Sequence, residues 1–201
     1  MNTTSGESGE MCMVPSLIMN ALNFVFVLGS VLWGMKKAKP RRAVFRYFTT
    51  LSNVLCALAS LVLVVLYIFG KALPFWALLL KYAGTAAVSV TMLTVFLFLG
   101  PTSHDWKGQL TGPVFFLHLL CPLLAIVSLL VFEKNAMPAW IIPIGVLPVI
   151  LYGILYMSKV LKRPEPVWED FYGFNRGGKW KISFLAMTLA AAVIAFALWL
   201  V

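Results

Sequence analysis

Six long apolar runs constrain this chain more than any other feature. Each is close to the roughly 20 residues that a helix needs to cross a bilayer. Of the 201 residues, 61% are hydrophobic and 11% are charged, whereas a soluble domain is about a quarter charged. The sequence therefore predicts an all-α, polytopic integral membrane protein, a bundle of six transmembrane helices in one domain, 14–201, after a polar N-terminal tail, 1–13. The predicted spans are residues 14–34, 44–70, 73–100, 112–132, 136–157 and 182–201.

Basic residues follow the connections between these spans. Of the 16 lysines and arginines, five lie between the first and second spans with a sixth, Arg46, at the start of the second, one lies between the third and fourth, and six lie between the fifth and sixth. Positively charged connections stay on the cytoplasmic side of a membrane, so we expect these three connections inside and both termini outside. The net charge of +9 therefore suits anionic lipid head groups and gives no support to nucleic-acid binding.

Polar side chains form a stripe along the second span. Thr49, Asn53, Cys56 and Ser60 recur at steps of four, three and four residues, and residues at this spacing share one helix face. Polar groups in lipid cost free energy unless they meet a partner or a cavity, so each is a candidate functional residue. In the fourth span, His118 stands out in the same way.

Helix packing is the simpler explanation for several polar residues. Small and hydroxyl side chains let membrane helices approach closely and hydrogen-bond, which accounts for Cys56 and Ser60, and for Thr85 and Ser89 in the third span. Lys81 lies nearer the membrane surface, and we expect its long side chain to reach the head groups. No cysteine spacing indicates a metal site or a disulfide, and the sequence implies neither a metal nor an organic cofactor.

Thr49 and His118 lie at matching depths. The second span enters from the cytoplasmic side near Val44 and the fourth near Gly112, so the two residues lie five and six positions inside. A rise of 1.5 Å per residue puts both about 8–9 Å inside the same end. Pro122 has no N–H to give to the carbonyl oxygen of His118, which predicts a bend and a widened space there.

A hydroxyl and an imidazole at one level suggest a nucleophile and its base. The histidine would take the threonine proton during attack on an acyl carbon and return it to the leaving group. The developing oxyanion needs donors, and the nearby candidates are Asn53, Ser52 and Thr50. No aspartate or glutamate falls in a predicted span, so Asn23 and Tyr152 are the candidates for orienting the imidazole. Alternatively, His118 and Thr49 serve only as hydrogen-bond partners between helices.

The segment FRYFTTLSNVLCAL, residues 45–58, resembles the androgen-induced membrane hydrolase family and its bacterial relatives. Members of that family are multi-span membrane proteins, and the animal members hydrolyse fatty acid esters of hydroxy fatty acids with an intramembrane threonine and a histidine. The aromatic and basic lead-in Arg46-Tyr47-Phe48 implies that the nucleophile is Thr49. The histidine just before a proline in FFLHLLCP implies His118. The segment WEDFYGF, residues 168–174, is similar to one that precedes the last span in bacterial relatives.

The resemblance implies a Thr/His-dependent hydrolase of lipid-like esters in a bacterial plasma membrane. The main alternative is a protein that binds or transports a lipid or small molecule at the same residues without chemistry. A structural or regulatory membrane subunit is a third interpretation.

The connection before the last span, residues 158–181, is the longest and is rich in aromatic side chains among charges. The aromatic residues are Trp168, Phe171, Tyr172, Phe174 and Trp180. Aromatic residues beside basic ones usually mark the membrane interface. The alternative is that this connection folds back over the cytoplasmic mouth of the site.

Overall fold

The protein is an all-α bundle of six helices, each long and apolar enough to span a membrane, as the sequence predicts. The computed structural model describes residues 4–133, 137–162 and 164–201, with side chains from Val14 onward. The start predicted for the fifth span, residue 136, and the basic residues Lys134 and Arg163 lie outside the described residues. The helices are α1 (Thr4–Lys37), α2 (Phe48–Ile68), α3 (Phe75–Ser103), α4 (Pro113–Glu133), α5 (Ala139–Val160) and α6 (Trp180–Leu200).

Successive helices run in opposite directions. The first four connections are short, and across the long fifth one Gly153 of α5 packs on Phe184 of α6 while Gly145 packs on Ala195, as in an antiparallel pair. Both chain termini therefore lie at one end of the bundle, called here the terminal end. The connections 38–47, 104–112 and 161–179 lie at the other, called here the basic end. Residues 4–13 of the predicted polar tail continue α1 as a helix.

The third helix is the centre of the bundle. Every residue from 81 to 91 is buried, and α2, α4, α5 and α6 all pack against α3. Small residues allow this approach: a Cβ placed on Gly84 would lie 2.8 Å from the Cα of Cys56 on α2. Such close backbone contact is how membrane helices gain packing energy when lipid is as apolar as their side chains.

The fourth helix is distorted where the sequence predicts a bend. Phe116–Leu120 form a π-helical turn immediately before Cys121 and Pro122. A proline removes one hydrogen bond of the regular helix, and a π turn is one way for a helix to accommodate that loss. His118 lies in the middle of this turn, so its backbone is held in an irregular conformation at the predicted site.

The connection before α6 folds back onto the basic end. Trp168, Phe171, Tyr172 and Phe174 pack with Tyr156 of α5 in one buried cluster, which also contacts Phe48 of α2. The ring centroids of Tyr156 and Phe171 are 5.0 Å apart. Asp170 fixes the loop by accepting hydrogen bonds from the Tyr156 hydroxyl and from the N–H groups of Phe174 and Asn175. The connection therefore folds back over this end of the bundle. That it covers the mouth of a site stays a prediction.

Two charged side chains are buried in the interior, and here the sequence interpretation is wrong. Lys81 does not reach the head groups, because its ammonium nitrogen lies 3.5 Å from a carboxylate oxygen of Glu133 and both side chains are fully buried. Glu133 also overturns the expectation that no carboxylate occurs in a span, since it forms the last residue of α4. The predicted span ended one residue earlier, so the partner that draws Lys81 inward was missed.

Candidate active site

Thr49 lies in the first turn of α2, at the basic end of the bundle. The helix begins at Phe48 after Tyr47, whose backbone is extended and whose own side chain does not cap the helix. The first N–H groups of an uncapped helix lack partners within the helix and carry a partial positive charge. The Thr49 hydroxyl therefore stands beside backbone donors that can bind a negatively charged oxygen.

His118 is oriented by a backbone carbonyl. Its Nδ1 lies 2.9 Å from the carbonyl oxygen of Gln109, in the connection that precedes α4. A carbonyl oxygen only accepts hydrogen bonds, so Nδ1 carries the proton and Nε2 is left as the basic nitrogen of the neutral ring. This is the arrangement that a general base needs.

The two side chains expected to orient His118 bind elsewhere. The Asn23 amide donates to the carbonyl oxygen of Cys121 at 3.0 Å. The Tyr152 hydroxyl donates to the carbonyl oxygen of Arg46 at 2.7 Å. Gln109 takes the orienting role that was predicted for them. It does so with its backbone carbonyl, which the pattern of side chains in the sequence cannot predict.

Asn53 joins the two turns that carry Thr49 and His118. Its side-chain amide donates to the carbonyl oxygen of Thr49 at 2.8 Å and to that of Leu117 at 3.0 Å. An amide nitrogen has two hydrogens, so both are engaged and Asn53 has none left for an oxyanion. The residue instead holds the first turn of α2 against the π turn of α4.

The other proposed donors, Ser52 and Thr50, are buried beside Thr49. The Ser52 hydroxyl lies 2.8 Å from the hydroxyl of Thr91 on α3 and 3.2 Å from the Thr49 carbonyl oxygen. Ser52 thus links α2 to α3. The backbone N–H groups of Phe48 and Thr49 are better placed as donors, because they belong to the turn that carries the candidate nucleophile.

Those donors are occupied by the hydroxyl of Tyr172, which the sequence marks only as one of several aromatic residues in the last connection. The N–H of Phe48 donates to the Tyr172 oxygen at 3.0 Å, and the hydroxyl and N–H of Thr49 interact with the same oxygen. Burial raises the pKa of the Tyr172 phenol, and the hydrogen bond from Phe48 opposes that rise. A neutral phenol oxygen thus takes the position that a substrate oxygen would need.

No hydrogen bond joins Thr49 to His118 within the ranges that the structure describes. The structure brings their turns together through Asn53, and it places Tyr172 over Thr49. The direct contact between nucleophile and base stays a prediction.

An apolar groove lies between α1 and α4 on the surface of the bundle. Its volume is about 300 Å³, and it is lined by residues that include Val25, Gly29 and Trp33 of α1 and Pro113 and Phe116 of α4. Space beside Gly29 is open, since a Cβ there would meet no atom within 4 Å. Phe116 is two residues before His118, so the groove adjoins the π turn.

Comparison of the chain with protein-family models, with curated proteins and with solved structures gives no match. The resemblance to the androgen-induced hydrolases therefore stays a prediction, and the proposed chemistry rests on the geometry of this chain.

Proposed function

We propose that the protein is an intramembrane hydrolase of lipid-like esters, with Thr49 as nucleophile and His118 as general base and acid, and that it is related to the androgen-induced membrane hydrolases. The observation that carries the proposal is the hydrogen bond between Nδ1 of His118 and the Gln109 carbonyl oxygen. It leaves Nε2 unprotonated, on a turn that Asn53 ties to the turn of Thr49.

The reaction begins when Oγ1 of Thr49 attacks the acyl carbon and its proton passes to Nε2 of His118. The N–H groups of Phe48 and Thr49, at the positive end of α2, stabilise the oxyanion of the tetrahedral intermediate. His118 then gives the proton to the departing alcohol. A water molecule then gives a proton to the same nitrogen and attacks the acyl carbon, and His118 returns that proton to Oγ1 of Thr49 as the acid leaves. Tyr172 must withdraw from the N–H groups before the substrate oxygen can bind.

The surroundings of the site support a lipid-like substrate. The groove between α1 and α4 is apolar and faces the side of the bundle, where lipid acyl chains lie. A long-chain ester dissolves in the bilayer, so it reaches the groove laterally and needs no large aqueous cavity. Its acyl chain would lie along Gly29 and Phe116, with the ester group toward His118.

A paired substitution tests the nucleophile. Thr49→Val and Thr50→Val remove the same hydroxyl with the same change of shape, at adjacent positions. Purified protein in lipid should hydrolyse long-chain esters and react with a fluorophosphonate probe. Thr49→Val should abolish both activities, whereas Thr50→Val should keep them. Labelling that survives Thr49→Val and is lost in Thr50→Val would move the nucleophile to Thr50, and labelling unchanged in both would remove the first turn of α2 from the chemistry.

The second candidate function is binding or transport of a lipid or small molecule without chemistry, and the open apolar groove is the observation that favours it. In that case a fluorescent fatty ester should bind to wild-type protein and to Thr49→Val with equal affinity and remain intact with both. Gly29→Leu, which fills the groove, should weaken binding in either case. If the wild type hydrolyses the ester and Thr49→Val does not, the protein is a hydrolase.

A further inference from the structure

A second polar site lies in the other half of the membrane domain, near the terminal end. Lys81 of α3 and Glu133 of α4 form an ion pair with an Nζ–Oε2 distance of 3.5 Å, and both side chains are fully buried. The Lys81 ammonium also donates to Oδ1 of Asn20 at 2.6 Å and to the Ser128 hydroxyl at 2.9 Å. A charged group inside a membrane span is costly, and such groups usually serve a function.

The two oxygens of the Glu133 carboxylate differ in their hydrogen-bond partners. Oε1 accepts hydrogen bonds from the hydroxyls of Ser16 and Ser128 and from the amide of Asn20. Oε2 is buried and accepts none from any described residue. A proton can therefore be added at Oε2 without breaking a hydrogen bond, and the nearest donor is the Lys81 ammonium.

Further unpartnered polar atoms lie between this pair and the candidate active site. Within the described part of the chain, four neutral side-chain oxygens are buried without a hydrogen-bond partner: Asn23 Oδ1, Asn53 Oδ1, Ser60 Oγ and Thr85 Oγ1. Buried polar groups in native proteins almost always have a partner, which is often an internal water.

Two of the residues that carry these atoms lie about one helical turn from residues of the charged site. Thr85 is one turn, about 6 Å, from Lys81 along α3. Asn23 is three residues, about 4.5 Å, from Asn20 along α1. Gly84 of α3 packs on the backbone of Cys56, and Cys56 lies between Asn53 and Ser60 on α2, so α2 and α3 carry their three oxygens at neighbouring levels.

We propose that Lys81 and Glu133 form an intramembrane proton-binding site, connected toward Asn53 by waters held at these oxygens. In the binding step the Lys81 ammonium gives a proton to Oε2 of Glu133, which leaves a neutral amine and a neutral acid. The amine then takes a proton from the water chain, so that the pair has gained one proton and one positive charge. The other titratable groups facing the pair are Tyr67 and Cys56 of α2, while α1 faces it with Ser16 and Asn20.

Infrared spectroscopy of the protein in lipid bilayers tests proton binding directly. As the pH is lowered, the carbonyl stretch of a buried protonated carboxyl should appear in the wild type and be absent in Glu133→Gln. Glu165→Gln, at an exposed glutamate, is the matched control and should keep the band. If Glu133→Gln does not fold because it leaves Lys81 unpaired, the neutral pair Lys81→Met/Glu133→Gln replaces it. A folded wild type whose spectrum shows no such band at any pH would overturn the proposal.

Hydration is tested by exchange of the same carboxyl proton in deuterated water. Thr85→Val removes an unpartnered hydroxyl and should slow the exchange several-fold. Thr188→Val is the matched control, because the Thr188 hydroxyl donates to the Phe184 carbonyl oxygen on α6, away from the water chain, and it should exchange as the wild type does. If Thr85→Val raises the melting temperature and leaves exchange unchanged, the region is dry and the water chain is refuted. No ester is present in either measurement, so the outcome is independent of the proposed hydrolysis.

Discussion

The side-chain amide of Asn53 donates at 3.0 Å to the carbonyl oxygen of Leu117, the residue that precedes His118. Its second hydrogen is donated to the carbonyl oxygen of Thr49. One side chain thus fixes the first turn of α2 to the π turn of α4. Such hydrogen bonds keep the reacting side chains at the required distance, and an error of about 1 Å in the position of a reacting group can cost about 100-fold in rate.

Asn53→Leu keeps the approximate shape of the side chain and removes both ties. We expect kcat for ester hydrolysis to fall by about 100-fold and KM to change little, since the groove is not altered. The unfolding free energy should fall by about 1–3 kcal/mol, because two buried carbonyl oxygens lose a partner. Steady-state kinetics and thermal unfolding measure the two effects. A variant that loses stability and keeps its kcat would show that Asn53 only holds the helices together.

Tyr172 should inhibit the site while its loop is docked on the bundle, because its hydroxyl oxygen accepts the hydrogen bond of the Phe48 N–H. Tyr172→Phe removes the oxygen and keeps the ring in the aromatic cluster, so the fluorophosphonate probe should label Thr49 faster. Tyr47→Phe, at a more exposed tyrosine of the same end, is the control and should leave the rate unchanged. Slower labelling in Tyr172→Phe would instead assign the phenol a direct part in stabilising the oxyanion.

Alkaline pH should release the loop that carries Tyr172. Burial raises the pKa of this phenol above its ordinary value near 10, so the neutral form is the one that docks. The stability that docking contributes is fully present below pH 10 and is lost as the pH rises through the higher pKa of the folded state. Proteolysis of residues 161–179 should therefore accelerate above pH 10 in the wild type. The acceleration should be absent in Tyr172→Phe, which has no proton to lose, and an equal acceleration there would refute the link.

The sequence predicts the spans and the level of the site, but not the groups that complete it. Apolar runs locate six helices because lipid tolerates little else over that length. The equal depths of Thr49 and His118 agree with the position of Asn53, which reaches both turns. The orienting group was missed because the Gln109 carbonyl belongs to the main chain, and every residue has one. Its use depends on how the connection before α4 folds.

The buried charges were missed for a different reason. A lysine eight residues inside a predicted span can reach either the head groups or the interior, and only a partner decides between the two. That partner is Glu133, the last residue of α4. The predicted span ended one residue earlier, so the prediction did not place a carboxylate inside it. Helix ends are the least certain part of a prediction from hydrophobicity, and here such an end carries the charge that decides the conformation of Lys81.

Close packing of α2 on α3 gives a prediction that needs no substrate. A Cβ on Gly84 would lie 2.8 Å from the Cα of Cys56, a backbone atom that cannot turn aside. Gly84→Ala should therefore push the helices apart and lower the unfolding free energy by about 1–3 kcal/mol. Gly29→Ala is the matched control, since open space surrounds Gly29, and it should be neutral or slightly stabilising. Equal melting temperatures for the two variants would contradict the contact.

The orientation of the bundle in the membrane is the last prediction. Basic residues cluster at one end, so this end should face the cytoplasm and both termini should lie outside. In a Cys12→Ser background, Lys179→Cys at the basic end and Lys71→Cys at the terminal end introduce exposed thiols, while the remaining cysteines, Cys56 and Cys121, are buried. A membrane-impermeant maleimide added to intact cells should label the residue-71 thiol and reach the residue-179 thiol only after lysis. The opposite pattern would reverse the bundle, and the Thr49–His118 site would then open to the outer leaflet.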